Sequence, residues 1–234
     1  MITLIQNAEN TADAASTIVI SYGSNVVAGN VLTVEVSRWT AGNSDPIVVG
    51  DLTQSAGSAT IGTIALDRTV ENSTTVTAIF SVAIFSVPVS GAGSLTFTVT
   101  GLAANYWWVN VSEWSGISST AEASNGATGT STAADSGNAS SAGGALFVAL
   151  AGTNQTTLKT YTEDVSFTLL NKEENGGLHQ TGASAYRDVV TGTTDSASWT
   201  LEASVDWGAV VVVFPATGGT PITGLGRRYA LRPQ

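Results

Sequence analysis

The sequence predicts an antiparallel all-β sandwich, and three observations carry that expectation. Short runs rich in Val, Ile, Thr and aromatic residues recur, parted by clusters of Gly, Ser, Asn and Ala. Several runs alternate with a period of two. In SLTFTVT (94–100), Leu95, Phe97 and Val99 share one face; in VLTVEVS (31–37), Leu32, Val34 and Val36 stand opposite Thr33 and Glu35. Such strands bury one side against a second sheet. Lastly, no segment sustains a helical period, and even TVTAIFSVAIFSVPV (75–89) is β-branched and carries Pro88.

Taken in order, ITLIQ (2–6) and TIVIS (17–21) read as two short strands, followed by 31–37 and ATIGTIAL (59–66). TVTAIFSVAIF (75–85), SLTFTVT (94–100) and the aromatic run YWWVNVSEW (106–114) come next. ALFVALA (145–151), VSFTLLN (165–171), ASAYRDVV (183–190), SASWTLEA (196–203) and GAVVVVF (208–214) complete the set. About a dozen strands with no Pro-rich or charged linker suit one sandwich domain over 1–215. Residues 118–144 are almost wholly small, so they form either a long loop or a polar edge strand. After Phe214, Gly and Pro replace the strand pattern, and 216–234 read as an extended arm. No repeat of 20 to 50 residues is visible.

Composition narrows the function. The 234 residues are 43% hydrophobic and 11% charged, which excludes global disorder. Cysteine is absent, removing disulfides and thiol chemistry. All eighteen acidic residues and five of the eight basic ones precede position 227, whereas the last eight residues carry Arg227, Arg228 and Arg232 and no acid. An acidic body offers no counterion-release surface for nucleic acid. A basic tail (Arg227, Arg228, Tyr229, Leu231, Arg232) suits docking on an acidic neighbour. No run approaches the ~20 apolar residues of a membrane span, and the N-terminus has no signal-peptide pattern, so a soluble protein is expected.

The aromatic strand poses the sharpest question. A period of two places Trp107, Val109 and Val111 on one face, and Tyr106, Trp108, Asn110, Ser112 and Trp114 on the other. The first face is core. The second could stack on a sugar, with Trp39 as a further exposed aromatic, or could pack under a loop or a neighbouring subunit. Trp199 shares a face with Leu201 and reads as core. Catalytic signals are weak. His179 is the lone histidine and no G-x-S-x-G turn accompanies it. Glu113 is the one acid worth testing as an acid or base, and a strand-end ion pair with Arg38 or Arg187 competes with that role. One histidine and no calcium loop leave no metal site to name. No catalytic residue is assigned, no cofactor is expected, and the protein is read as non-enzymatic.

The strand order and aromatics resemble the lectin-like jelly-roll sandwiches of tailed-bacteriophage virion proteins. The matching pieces are GNVLTVEVS (29–37), YWWVNVSEWSG (106–116), GGALFVALAG (143–152), ASAYRDVV, SASWTLEA and VVVVF (211–214). The resemblance implies a jelly-roll-like two-sheet sandwich and a virion protein, assembled in the host cytoplasm. A capsid decoration or cement protein, held to the major capsid protein or another virion protein by its C-terminal arm, is the first expectation. By analogy it would be a homo-oligomer, a trimer. The alternatives are a glycan-binding module of a tail or fibre that meets host surface glycan, and a glycoside hydrolase or lyase built on Glu113.

Overall fold

A computed structural model describes residues 1–41, 46–75, 78–153, 160–174 and 180–218. The chain is all-β, with two curled antiparallel sheets set back to back in a sandwich-like fold. The first sheet is built from β1 (Thr3–Ser21), β2 (Val31–Ala41), β3 (Leu52–Ala56), β4 (Thr60–Ile61), β5 (Ala65–Thr75), β6 (Ala78–Gly91) and β7 (Thr96–Ser115). A single helical turn at Val49–Asp51 leads into β3. The second half holds β8 (Ala123–Asp135), β9 (Ala139–Ser140), β10 (Gly143–Thr153), β11 (Tyr161–Glu163), β12 (Thr168–Glu173), β13 (Gly182–Thr191), β14 (Thr194–Asp195) and β15 (Ser198–Pro215). Of these, β9 and β14 pair only with each other, and the rest form the second sheet.

Three pairs of expected strands are each one long, bent strand. The runs at 2–6 and 17–21 join in β1, those at 94–100 and 106–114 in β7, and those at 196–203 and 208–214 in β15. The bends show in the register. Residues Thr3–Ala12 of β1 pair with the second arm of β7 and Thr17–Ser21 with its first arm, with slips on both sides of Ala15. Ala14 sits there at φ 43, a left-handed conformation that turns the strand. The β15–β8 ladder slips in the same way between Thr200 and Val205. Bulges of this kind bend a strand and increase its twist, which curls each sheet over its own core. The strands β3, β11 and β14 were not foreseen, nor was most of β5.

The small-residue stretch takes the strand option: β8 occupies 123–135. Its composition follows from close approach. A Cβ on Gly126 would lie 2.7 Å from Val70, and one on Gly129 would lie 2.6 Å from Trp207. Only a strand of small residues fits there.

The fold also contains a duplication. The first half runs β1-β7-β2-β6-β5 across its sheet, and the second runs β8-β15-β10-β13-β12, with the strands of each half met in the same chain order. In both, a short strand (β3 or β11) pairs with the first arm of the bent strand. On the central strands the registers match. Val34 stands between Val111 and Phe85, and Ala149 between Val211 and Ala185. The same ladder carries the same slip, between Leu66 and Arg68 in one half and Leu169 and Asn171 in the other. Equivalence places Trp107 on Trp207 and Trp114 on Phe214. The sandwich is thus built from two lobes of one topology, a duplication the strand pattern did not reveal.

Each lobe encloses its own core. Val34, Val36, Phe85, Phe97, Trp107 and Val111 belong to the first, and Phe147, Tyr161, Trp199, Leu201, Trp207 and Val211 to the second. A third core lies between the lobes, where Phe80, Val82, Ile84, Trp108 and Trp114 meet Leu146, Val148, Leu150, Val210, Val212 and Phe214. Contacts across it are reciprocal. Gly182 backs onto Trp108 and Gly208 onto Val82, which are equivalent pairs taken in opposite order. Asn7 donates to the Leu170 carbonyl at 3.4 Å, and Ser124 to the Asp67 carbonyl at 3.3 Å. Such i-to-j and j-to-i pairing marks an approximate two-fold axis, as in an isologous dimer.

Candidate functional site

The period-two sorting of the aromatic strand holds, but both of its faces are covered. Trp107 lies in the first lobe core, its Nε1 donating to the Ala15 carbonyl at 2.9 Å and its ring under the Arg38 guanidinium at 5.2 Å. Trp108 and Trp114 are 0% exposed in the core between the lobes. Trp108 donates to the Glu9 carboxylate at 3.0 Å, and Trp114 donates to the Thr33 hydroxyl at 3.0 Å and packs on Tyr186. This corrects the half-covered face: the second lobe fills it, so neither indole can stack on a sugar. Burial raises the Glu9 carboxyl above its usual range; the Trp108 hydrogen bond works against this and nearby Glu173 adds to it.

Of the four candidate aromatics, Trp39 and Tyr106 keep partial exposure, so the strand-end position of Trp39 did not leave it free. Their ring centroids are 4.9 Å apart at 51°, tilted rather than coplanar. Trp199 is buried as expected.

Glu113 is wholly buried, and its carboxylate accepts from Gln6 Nε2 at 2.6 Å, Asn30 Nδ2 at 2.6 Å and the Val27 amide at 2.7 Å. Three donors fix it as a fastener for the β1–β2 connection, with none of its surface open to solvent. The arginine pairings weighed for it do not form: Arg38 lies 3.9 Å from Asp51, and Arg187 pairs with Asp195. Another acid, Glu35, sits buried between the lobes, where Asn110 donates to it and Asn171 of the second lobe donates to Asn110 at 2.7 Å. Burial pushes its carboxyl up to about 7, against the pull of bonds from Thr33 and Asn110. His179 lies outside the described residues, and among those described no group of three or more His, Cys, Asp and Glu could hold a metal.

The arm residues Arg227, Arg228, Tyr229, Leu231 and Arg232 also lie outside the described residues, but the arm's root is well defined. Ala216 bridges Ile117, the Ala216 amide donates to Gly144 and the Thr217 amide to Gly116, each at 2.8 Å. The chain therefore leaves the body at the seam between the lobes. A cleft of about 540 Å³ opens there, bounded by Met1, Ile2, Glu122, Asp188, Val190 and the root itself. It continues on both sides. A neighbouring cleft of about 370 Å³ shares Glu122 and adds Asp67, and another shares Asp188, Val189 and Val190. Met1 and Val190 are almost fully exposed at 105% and 91%. This trough joins apolar side chains to carboxylates. The sequence offered only a faint signal for it, an acid beside two valines at the end of YRDVV.

No protein-family model, curated protein or solved structure matches the chain.

Proposed function

We propose that the chain is a non-enzymatic structural protein of a phage virion, a capsid decoration or cement protein that attaches through its C-terminal arm. The observation that carries this is the arm's root, hydrogen-bonded to both lobes, which would hold a basic tail at a fixed exit from an acidic body. A rigid β scaffold with one charged tail concentrates its binding chemistry in that tail, and opposite charge would speed and orient docking. The glycan alternative keeps one support, the partly exposed Trp39–Tyr106 pair. The hydrolase alternative loses the residue it rested on, because Glu113 is sealed and fully hydrogen-bonded.

The test is co-sedimentation with undecorated capsids. The full chain is expected to pellet with capsids and residues 1–218 to stay in solution; equal pelleting of both would reject arm-mediated attachment. Failure of both to pellet, with full-length protein retained on a glycan array, would favour the tail or fibre module.

A further inference from the structure

We infer that the trough at the arm's root is an acceptor for the C-terminal arm, residues 219–234, of a second copy of this chain. The inference rests on the proposal that the arm is a docking element, and it gives that arm an acceptor on a neighbouring copy in addition to the capsid. Three observations support it. The main cleft is acidic, with Glu122 and Asp188 exposed on its walls and no basic side chain bounding it; Arg187, which borders the adjoining cleft, is paired with Asp195. The arm is complementary, with Arg227, Arg228 and Arg232 interleaved with Ile222, Leu225, Tyr229 and Leu231. Finally, the trough displays Met1 and Val190 to solvent, apolar side chains that a covering segment would bury.

Geometry favours a neighbour's arm over the chain's own. Pro215, Thr217 and Gly218 form part of the cleft wall, so the chain's own root already takes up one edge of the cleft and leaves the rest open to a second arm. Sixteen residues extend to about 50 Å at ~3.3 Å each, enough to cross to an adjoining body. Each copy then offers one arm and one acceptor, a head-to-tail contact that closes into a ring when the rotation allows.

Sedimentation velocity and peptide binding test this together. The full chain is expected to run as a closed oligomer and residues 1–218 as a monomer. A labelled peptide of residues 217–234 should bind the 1–218 protein, at least tenfold more weakly after E122K/D188K and more weakly in 0.5 M NaCl. Both substituted residues are exposed, so that variant should fold, which its circular dichroism checks. A full chain that stays monomeric at all concentrations overturns the inference, including when the peptide still binds, since the arm would then occupy its own trough. Peptide binding indifferent to the charge reversal overturns it as well. Arm-dependent pelleting on capsids by a monomeric chain would leave the decoration proposal standing and reject only arm exchange.

Discussion

The two lobes share a backbone plan and differ most where they touch. Positions 33, 35, 37, 110 and 112 of the first lobe are Thr, Glu, Ser, Asn and Ser; their equivalents in the second are Val148, Leu150, Gly152, Val210 and Val212. Along β2 and β7 the first lobe's seam face is therefore polar where the second lobe's is apolar. On β6 the first lobe instead presents Phe80, Val82 and Ile84, where the second has Gln180, just before β13, and Gly182 and Ser184 within it. A polar network buried among apolar side chains costs desolvation and returns selectivity, since its partners must be correctly placed. Asn171 meets that demand by bonding Asn110 across the seam. The comparison suggests a division of labour: apolar packing supplies adhesion, and the Glu35–Asn110–Asn171 chain specifies that unlike lobes pair.

Four perturbations would sharpen or break that comparison. The largest effect is expected from the equivalent tryptophans. Trp107→Ala and Trp207→Ala should each lose ~3–5 kcal/mol in urea unfolding, as buried Trp truncations do. Costs differing by more than about 2 kcal/mol would argue that the lobes are alike in topology only.

Glu35 comes next. The free carboxyl ionises near 4.5 and the folded one near 7, so the folded state holds the extra proton between those values. Stability contributed by the protonated group is complete below about 4.5 and is lost as pH rises through 7. The loss is on the order of 3 kcal/mol. Melting curves from pH 4 to 8 should show this decline in the native chain and a shallower one in Glu35→Gln, which keeps an oxygen to accept from Asn110. Parallel slopes would mean that Glu35 is not the titrating group.

Gly182→Val inserts the residue that the first lobe carries as Val82. Its Cβ would lie 2.7 Å from Trp108, and overpacking should cost about 1–3 kcal/mol. An unchanged midpoint would show that the seam can open locally. The smallest effect belongs to Arg187→Ala, which breaks a half-exposed pair with Asp195 and should cost less than ~1 kcal/mol.

Much of the architecture was legible, and the gaps have physical causes. Alternation in 31–37 and 94–100 gave strands and their faces correctly, because one-sided burial writes itself as a period of two. The long strands were split because their bends, near Ala14, Gly101 and Ala203, are made of small or polar residues that look like turns. The β8 strand was ambiguous because Gly126 and Gly129 were chosen for clearance, which leaves no hydrophobic pattern. Trp108 and Trp114 show the remaining limit. Periodicity assigns a side chain to a face but does not say what covers that face. The duplication escaped for a related reason, since Trp107 and Trp207 match while Glu35 and Leu150, or Trp114 and Phe214, do not. The arm's charge could be read, but the trough left only the faint mark of Asp188 beside two valines, because Glu122 and Asp188 come together from positions far apart in sequence.

The placement of the indoles has an optical consequence. Trp107 sits in the first lobe core, Trp199 and Trp207 in the second, and Trp108 and Trp114 between them. Emission from each set therefore reports a different event: melting of one lobe, melting of the other, or parting of the two. Chains that retain a single set would show whether all three signals shift at one denaturant concentration, as a single cooperative unit requires, or whether separation precedes unfolding.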